Sequence, residues 1–291
     1  MSIHINPMRT IKQIHAAGYS PIADLITYSP LPTAKLQQVD PFIFLNHHGF
    51  QTYPPNNNGL PFGPHPHRGM ETVTFILKGD IMHKDSSGHE SIMEEGGIQW
   101  MTAGSGLIHA EVSSPKFKKE GGDLEILQLW LNLPAKYKMT KPNYVDLQKD
   151  QITHFELDGG KVKVQLIAGT WEDQKGSFDT LSPIFLSTIE IIKGGSFSKN
   201  IPSGENIFLY IVKGALKIGN EEIPFRNLVE FNNDGDDLSV TASEDAIFIL
   251  GHAKPFNEPM VAQGPFVMNT QKEIQEAYRD YQEGKFGSWE H

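Results

Sequence analysis

Short apolar segments recur along the chain, and glycine, asparagine and aspartate separate them. Five examples are TVTFIL, LEILQLWLNL, KVKVQLIAG, NIFLYIVKG and AIFILG. Segments of this length, rich in Val, Ile, Phe and Thr, predict β-strands. Many short strands joined by glycine-rich turns are typical of antiparallel sandwiches and barrels. The sequence therefore predicts an all-β protein.

One segment near the C-terminus has the pattern of an amphipathic helix instead. In MNTQKEIQEAYRDYQEGKFG, Thr270 and Glu273 have the spacing of a capping box, and Gly284 is a natural stop. Four apolar residues of this segment fall on one face of the helix: Ile274, Ala277, Tyr278 and Tyr281. We expect a C-terminal helix packed on the β body.

Two parts of the chain resemble each other at an offset of about 135 residues, from Glu71 to Asn206. ETVTFILKGDIMH and NIFLYIVKGALKI each contain a strand pattern, a Lys-Gly pair and a second apolar stretch. Two unrelated amphipathic hairpins can also look alike over a dozen residues, but we favour a duplicated β-domain. The predicted organisation is an N-terminal barrel over residues 1–135, a C-terminal barrel over 136–260 and a tail with the helix over 261–291.

Composition narrows the possible functions. The formal net charge of −10, without a cluster of Lys and Arg, argues against direct nucleic-acid binding. Cysteine is absent, which excludes disulfides and thiol nucleophiles and leaves nitrogen and oxygen ligands for any metal. No apolar run approaches the roughly 20 residues of a membrane helix, and the start lacks the apolar core of a secretory signal. We predict a cytoplasmic protein with no membrane association, and a nuclear location stays open.

Two histidine-containing pairs are candidates for a metal site. FGPHPHRGMETVTFILKG places His65 and His67 two residues apart, and QWMTAGSGLIHAE places His109 and Glu111 two apart. Residues two apart on a strand face the same side, with Cα atoms about 6.7 Å apart. Two such pairs on neighbouring strands would supply three imidazoles and one carboxylate. That set suits a divalent iron, nickel, copper, zinc or manganese ion.

The offset between the halves bears on the number of metal ions. It places Asn200 where His65 stands and Pro202 where His67 stands. If the duplication is real, the N-terminal copy alone keeps the imidazole pair. We therefore expect one metal ion per chain and none in the C-terminal barrel.

Glu71 is an alternative carboxylate ligand. It lies four residues past His67, about 13 Å along a regular strand, so it would need a bend at Arg68-Gly69 to reach the same ion. Spacing alone therefore favours Glu111 and leaves Glu71 as an alternative or as a partner that orients an imidazole.

The other candidate residues have ordinary structural interpretations. His47 and His48 are adjacent and face opposite sides of a strand, and His83 and His89 flank the polar turn DSSG, where we expect them to be solvent-exposed. Arg68 suits an anion at the mouth of the site or a structural ion pair. Four large side chains suit either the wall of a pocket for a planar ligand or the core: Phe62, Trp100, Met101 and Trp130.

The motifs resemble those of a known family. Gly59, His65-Pro66-His67 and Glu71 have the spacing of the first cupin motif, and Gly106 with His109 resembles the end of the second. The longer strings HPHRGMETVTFILKGDIMHKD, GGIQWMTAGSGLIHAE, DPFIFLNHHGF and GPFVMNT resemble the pirin branch of the cupins. The resemblance implies two tandem cupin barrels of the double-stranded β-helix, or jelly-roll, type with a C-terminal helix.

The resemblance also implies a ligand set and a function. In pirins the ligands are the histidines of HPH and the histidine and glutamate of HAE, which are His65, His67, His109 and Glu111 here. It implies Fe(II) at the site and a quercetin 2,3-dioxygenase that cleaves a flavonol with dioxygen, with Glu111 as the catalytic proton acceptor. Other family members resemble transcription co-regulators, so a non-enzymatic redox sensor that binds a protein partner is the alternative. A cupin-type sugar-phosphate isomerase would need a basic cluster, and Arg68 alone is in evidence.

Overall fold

The computed structural model describes residues 7–289. Within that range the chain forms 26 strands and two α-helices. The strands are β1 (Ile11–Ala16), β2 (Gly18–Tyr19), β3 (Thr27–Leu31), β4 (Phe42–Tyr53), β5 (Phe62–His67), β6 (Met70–Lys78), β7 (Asp80–Asp85), β8 (Glu90–Glu94), β9 (Ile98–Thr102), β10 (Leu107–Val112), β11 (Gly122–Asn132), β12 (Asn143–Leu147), β13 (Thr153–Leu157), β14 (Val162–Ala168), β15 (Thr170–Trp171), β16 (Gln174–Lys175), β17 (Ile184–Ile191), β18 (Ser196–Asn200), β19 (Asn206–Lys213), β20 (Ala215–Ile218), β21 (Glu221–Pro224), β22 (Asn227–Phe231), β23 (Asp237–Ala242), β24 (Ala246–Ala253), β25 (Val261–Gln263) and β26 (Phe266–Met268). The helices are α1 (Pro115–Glu120) and α2 (Gln271–Gln282).

The predicted all-β class and C-terminal helix are confirmed. Helix α2 begins with the predicted capping box, in which the Thr270 side chain accepts from the Glu273 backbone and the Glu273 side chain accepts from the Thr270 backbone. Ile274 and Ala277 are buried as expected, but Tyr281 is 38% exposed, so the packed face of the helix is narrower than its apolar pattern. Within residues 7–289, no helix is both long and apolar enough to cross a membrane.

The chain divides into two compact units, which we call the first and second barrels. The first barrel contains described residues 19–34, 42–151 and 256–289. Its strands form a seven-stranded sheet in the order β12-β9-β6-β11-β4-β3-β2 and a four-stranded sheet in the order β5-β10-β7-β8. The hairpin β25-β26 and helix α2 also belong to this unit.

The second barrel contains described residues 7–18, 35–41 and 152–255. Its seven-stranded sheet has the order β1-β22-β19-β24-β17-β14-β13, and its four-stranded sheet has the order β18-β23-β20-β21. The sequence repeat predicts equivalent strands in the two barrels, and the topology agrees with it. Strands β5 and β18 are both edge strands of a four-stranded sheet, and β6 and β19 both lie inside a seven-stranded sheet.

The residue ranges of the two units differ from the predicted continuous segments 1–135, 136–260 and 261–291. Strand β1 pairs with β22, with Ile14 opposite Val229, so the N-terminal residues belong to the second barrel. The C-terminal residues from Phe256 belong to the first barrel. Strand pairing over such sequence separations leaves no local pattern, which is why the repeat predicted the two barrels but not their interleaved chain segments.

Candidate metal centre

Strand β5 carries two of the candidate ligands at the edge of the four-stranded sheet. Pro64 and Pro66 alternate with His65 and His67, and proline has no N–H to donate to a neighbouring strand, so the sequence suits an edge position. Strand β10 pairs with β5, and His109 lies directly opposite His65. The pairing therefore brings the two sequence motifs together, as the motif spacing predicted.

The three imidazoles form a compact group. One ligand atom from each of His65, His67 and His109 lies within 4.8 Å of the others. The ring centroids are 4.4 Å apart for His65 and His109, 4.9 Å for His65 and His67, and 5.0 Å for His67 and His109. His109 is fully buried, His67 is nearly so and His65 is partly exposed.

Backbone carbonyls orient two of the rings. Nδ1 of His65 donates to the carbonyl oxygen of Gly63 at 2.7 Å, and Nδ1 of His67 donates to that of Pro265 at 3.1 Å. These bonds leave Nε2 of each ring with its lone pair available. Donation of the second ring N–H to a carbonyl is the usual arrangement of a metal-bound histidine.

The surroundings of His109 are the clearest indication that these histidines fit a metal ion. Both of its ring nitrogens are buried and have no hydrogen-bond partner within the described residues. Burial, followed by the neighbouring histidines His67, His65 and His83, holds the pKa of His109 well below its usual value. Burial and His65 likewise lower the pKa of His67 to about 3, although the Pro265 carbonyl opposes them. Neutral imidazoles with free lone pairs fit a metal ion.

Glu111 lies near this group but outside it. The spacing that unites the three imidazoles does not include its carboxylate. Oε1 accepts hydrogen bonds from Gln99 Nε2 and, at 2.9 Å, from Thr74 Oγ1, whereas Oε2 accepts from Gln128 Nε2 at 3.0 Å. The carboxylate is thus held by three side chains of the seven-stranded sheet, and its role as a fourth ligand stays a prediction.

Glu71 faces away from the imidazoles. The chain does bend at Arg68-Gly69, where Gly69 has φ of +81° and a Cβ would overlap the carbonyl oxygen of Val267. Glu71 nevertheless lies on the opposite face of β6 from Thr74, and its Oε1 accepts from Thr102 Oγ1 at 2.6 Å. Burial raises the pKa of its carboxyl. The bond to Thr102 makes Glu71 a buried structural carboxyl, not a partner that orients an imidazole.

The prediction that His83 is exposed to solvent is wrong. Its ring is fully buried, stacks on Tyr144 with centroids 3.9 Å apart, and lies 5.4 Å from the His109 ring. Nε2 of His83 is 3.1 Å from Asp85 Oδ2. Burial would raise the pKa of Asp85, but hydrogen bonds from His83, Ser87 and the backbone hold it well below its usual value. The DSSG turn is polar, but the alternation of β7 points His83 into the barrel, and His89 alone of the two is exposed.

The adjacent pair His47 and His48 divides between two faces, as predicted. His48 shares the face of Gln128 and Trp130, and its Nδ1 hydrogen-bonds to Thr27 Oγ1 at 2.9 Å. Burial, then His47, lowers the pKa of His48 to about 3. His47 lies on the other face, with Nε2 3.0 Å from Glu125 Oε1.

Aromatic side chains line one wall beside the imidazoles. The Trp130 ring lies 5.1 Å from the His67 ring and stacks on Phe44 at 4.4 Å. Phe62 lies 5.1 Å from the His48 ring. Of the four predicted wall residues, Trp130 and Phe62 therefore lie beside histidines of the barrel interior. Met101 packs in an apolar cluster with Leu107 and Tyr144, and Trp100 lies on the opposite face from Gln99.

The C-terminal segment holds the HPHRG motif in place, which the sequence did not reveal. Besides the Pro265 carbonyl, this segment supplies the Asp280 carboxylate, whose Oδ2 is 2.9 Å from an Arg68 nitrogen. The Arg68 guanidinium also lies 4.6 Å from the centre of the Phe286 ring. Lys138 is buried and donates to the carbonyl oxygens of Gly69 and Val267, both at 2.9 Å. Arg68 thus forms a structural ion pair with Asp280.

Known proteins share both the motifs and the fold. A family model described as Pirin matches residues 24–131, and one described as Pirin C-terminal cupin domain matches residues 186–287. A pirin-like protein of Solanum lycopersicum is 36% identical over 98% of this chain and 95% of its own length.

Solved structures of similar proteins have the same fold as this chain. A quercetin 2,3-dioxygenase from Acinetobacter baumannii is 33% identical, with a TM-score of 0.91 over 97% of this chain and 99% of that one. A bacterial pirin of Escherichia coli, solved in complex with nickel(II), is 21% identical with a TM-score of 0.67 over 84% of this chain and 99% of that one, and shares the fold. The predicted pair of cupin barrels is confirmed, and the chain belongs to the pirin family.

Proposed function

We propose that this chain is a metal-dependent dioxygenase that cleaves quercetin or a related flavonol with dioxygen. The support is the quercetin 2,3-dioxygenase of Acinetobacter baumannii, which is similar over nearly the whole chain, together with the buried imidazole group of the first barrel. The observation that carries the proposal is the pair of unpartnered, buried nitrogens of His109 between His65 and His67.

The proposed ligands are His65, His67, His109 and Glu111, and the proposed ion is Fe(II). Three neutral imidazoles and one carboxylate would leave a divalent ion with a net charge near +1. Of the two Glu111 oxygens, Oε2 has a single donor, Gln128, and is the one we assign to the ion. When bound, the ion supplies Lewis-acid and redox chemistry towards a substrate hydroxyl and dioxygen.

The protein's own groups would orient the substrate and accept its proton. Carbonyl bonds to His65 and His67 fix their tautomers, so both rings present Nε2 without rearrangement. Glu111 would accept the proton of the flavonol 3-hydroxyl, and its hydrogen bonds from Gln99 and Thr74 would keep the carboxylate oriented. Rigid placement of the acceptor avoids the cost of ordering it during the reaction.

The aromatic wall would bind a planar substrate. Trp130 presents a ring beside His67, and Phe44 stacks behind it. Offset stacking on such rings suits the fused rings of a flavonol. A planar substrate seated against this wall would also exclude water from the reacting atoms.

The test is anaerobic loading with Fe(II), addition of quercetin and then admission of oxygen. We expect the flavonol absorption band to disappear only after oxygen enters, with carbon monoxide released in equal amount. The matched control is the His65→Ala/His67→Ala variant treated in the same way, which should leave the flavonol intact. Absence of oxygen-dependent cleavage with iron, manganese, nickel, copper and zinc in turn would reject the proposal.

A further inference from the structure

Tyr144 is connected to the carboxylate of the metal centre through one intermediate side chain. It is buried and lies on β12, the edge strand of the seven-stranded sheet of the first barrel. Its hydroxyl donates to Gln99 Oε1 at 3.0 Å, and Gln99 Nε2 donates to Glu111 Oε1. The phenol therefore acts on Glu111 through the Gln99 amide.

The directions of these hydrogen bonds follow from one another. Gln99 Nε2 donates to the Glu111 carboxylate and, at 3.1 Å, to Thr74 Oγ1, so the amide oxygen is turned towards Tyr144. That oxygen can only accept, so it takes the single hydroxyl proton of Tyr144. Ser91 Oγ, 2.8 Å from the phenol oxygen, must then be the donor of its own bond to Tyr144. Every donor in this chain of hydrogen bonds is thus directed towards Glu111.

Packing holds the phenol in this position. Its ring stacks on His83 with centroids 3.9 Å apart and planes 11° apart, and it packs in a cluster with Met101 and Leu107. Ser91 lies on β8, the edge strand of the four-stranded sheet, so the hydroxyl joins the edges of the two sheets. Burial raises the pKa of Tyr144, which keeps the phenol a donor at neutral pH.

The Gln99 amide could fit its site in either of two orientations that differ by exchange of its oxygen and nitrogen. The reverse orientation would turn the amide oxygen towards the Glu111 carboxylate, where two acceptors would meet without a proton. It would also turn the amide nitrogen towards the Tyr144 hydroxyl. A fixed donor at Tyr144 therefore favours the orientation in which Glu111 receives an N–H.

We propose that Tyr144 is a positioning residue of the metal centre, which holds the Gln99 amide so that its N–H fixes Glu111 Oε1 and leaves Oε2 for the ion. The inference rests on the proposed role of Glu111 as the fourth ligand. Without the phenol hydroxyl, the buried Gln99 oxygen would have no donor among the described residues, and the amide would no longer be held in one orientation.

The test compares Tyr144→Phe with Tyr53→Phe. Tyr53 is the matched control, because its hydroxyl is buried in the same barrel and has no hydrogen-bond partner in the described part of the chain. The affinity for Ni(II) is measured by competition with a chelator. We expect Tyr144→Phe to weaken Ni(II) binding about 10-fold, a usual effect of losing a group that orients a ligand. Tyr53→Phe should leave the affinity unchanged.

The same pair of substitutions in Glu111→Gln separates positioning from packing. The carboxylate is absent there, so Tyr144→Phe should change the Ni(II) affinity by less than about 2-fold. In the Co(II)-loaded protein, Tyr144→Phe should shift the visible absorption bands towards those of Glu111→Gln, and Tyr53→Phe should not.

Two results would overturn the proposal. An equal loss of affinity with and without the Glu111 carboxylate would mean that the phenol only packs the barrel. An unchanged affinity and spectrum in Tyr144→Phe would mean that Gln99 keeps its orientation without the phenol. These measurements use the metal ion alone, so they judge the role of Tyr144 even if no flavonol is cleaved.

Discussion

The two barrels share a strand arrangement and differ in what fills them. Each consists of a seven-stranded and a four-stranded antiparallel sheet. In the second barrel an apolar cluster of 23 buried residues fills the space between the sheets. In the first barrel a smaller apolar cluster of nine residues occupies one part of the interior. Polar side chains occupy another part, of which Gln128 is partly buried and the others are buried: Thr74, Gln99, His109, Glu111 and Gln128.

The polar interior of the first barrel carries a cost in stability that the apolar interior of the second barrel does not. Burying a polar group is costly unless it is hydrogen-bonded, and apolar side chains of similar volume would avoid that cost. Within residues 7–289, three donors satisfy Glu111, but both nitrogens of His109 have no hydrogen-bond partner. The sequence offset repeats the contrast, because Asn200 and Pro202 stand where the first barrel has His65 and His67.

Removing the imidazole pair should have the largest effect. We expect His65→Ala/His67→Ala to lose its metal ion almost completely, since changes to groups that merely orient a ligand already cost about 10–100-fold in affinity. Elemental analysis after dialysis measures the ion content, with one ion per chain expected in the unaltered protein. Asn200→Ala, at the matching position of the second barrel, is the control and should keep the full content. Retention of metal by the double variant would refute the assignment.

The second largest effect is expected from Glu111→Gln, and it concerns flavonol turnover. The amide keeps the shape of the side chain and a weak ligand oxygen but removes the basic charge. We expect the three imidazoles to retain most of the metal while flavonol turnover falls by about 10² to 10⁴, the usual contribution of a positioned base. Metal content and turnover are measured on the same sample. An unimpaired variant would leave the activity standing but remove Glu111 as its proton acceptor.

Acid should destabilise the metal-free protein through the first barrel. His48 and His67 have pKa values of about 3 in the folded chain and near 6.5 when unfolded. Between these values the unfolded state binds more protons, so the free energy of unfolding falls as pH falls below 6.5. From pH 7 to pH 5 the expected loss is about 2 kcal/mol per histidine.

Urea unfolding at the two pH values measures this loss. His48→Gln should reduce it by roughly one histidine's share, because that side chain no longer titrates. A pH-independent stability of the metal-free protein between pH 7 and pH 5 would be the adverse result. The second barrel contains His252, whose pKa burial lowers to about 4, and this histidine adds a further loss of similar size in the same direction.

Arg68→Lys should give the smallest of these effects. Lysine keeps the charge but cannot donate both to the Ser105 carbonyl and to Asp280 in the fixed geometry of a guanidinium. The C-terminal segment that orients His67 would loosen, and we expect about a 10-fold loss of metal affinity. A competition titration with a chelator measures the change. Lys175→Ala, which breaks an exposed ion pair of the second barrel, should leave the affinity unchanged.

Local patterns sufficed for the strands, the capped helix and the histidine pairs, because each is set by residues within a few positions of one another. The two short motifs predicted neighbouring strands, and the structure pairs β5 with β10. The register that places His109 opposite His65, and the distant groups that contact these motifs, were not predicted. The Pro265 carbonyl lies 198 residues from His67 along the chain, and the exposure of His83 was misjudged because its polar turn outweighed its strand alternation. Contacts over such distances depend on the completed fold.

The central claim is that the polar interior of the first barrel is a metal centre and that the apolar interior of the second is not. Diffraction from crystals of the iron-loaded protein, recorded on both sides of the iron absorption edge, tests it directly. The account predicts one anomalous peak per chain, about 2.0–2.3 Å from nitrogens of His65, His67 and His109. A peak in the second barrel, or fully loaded protein with no peak at these three histidines, would contradict it.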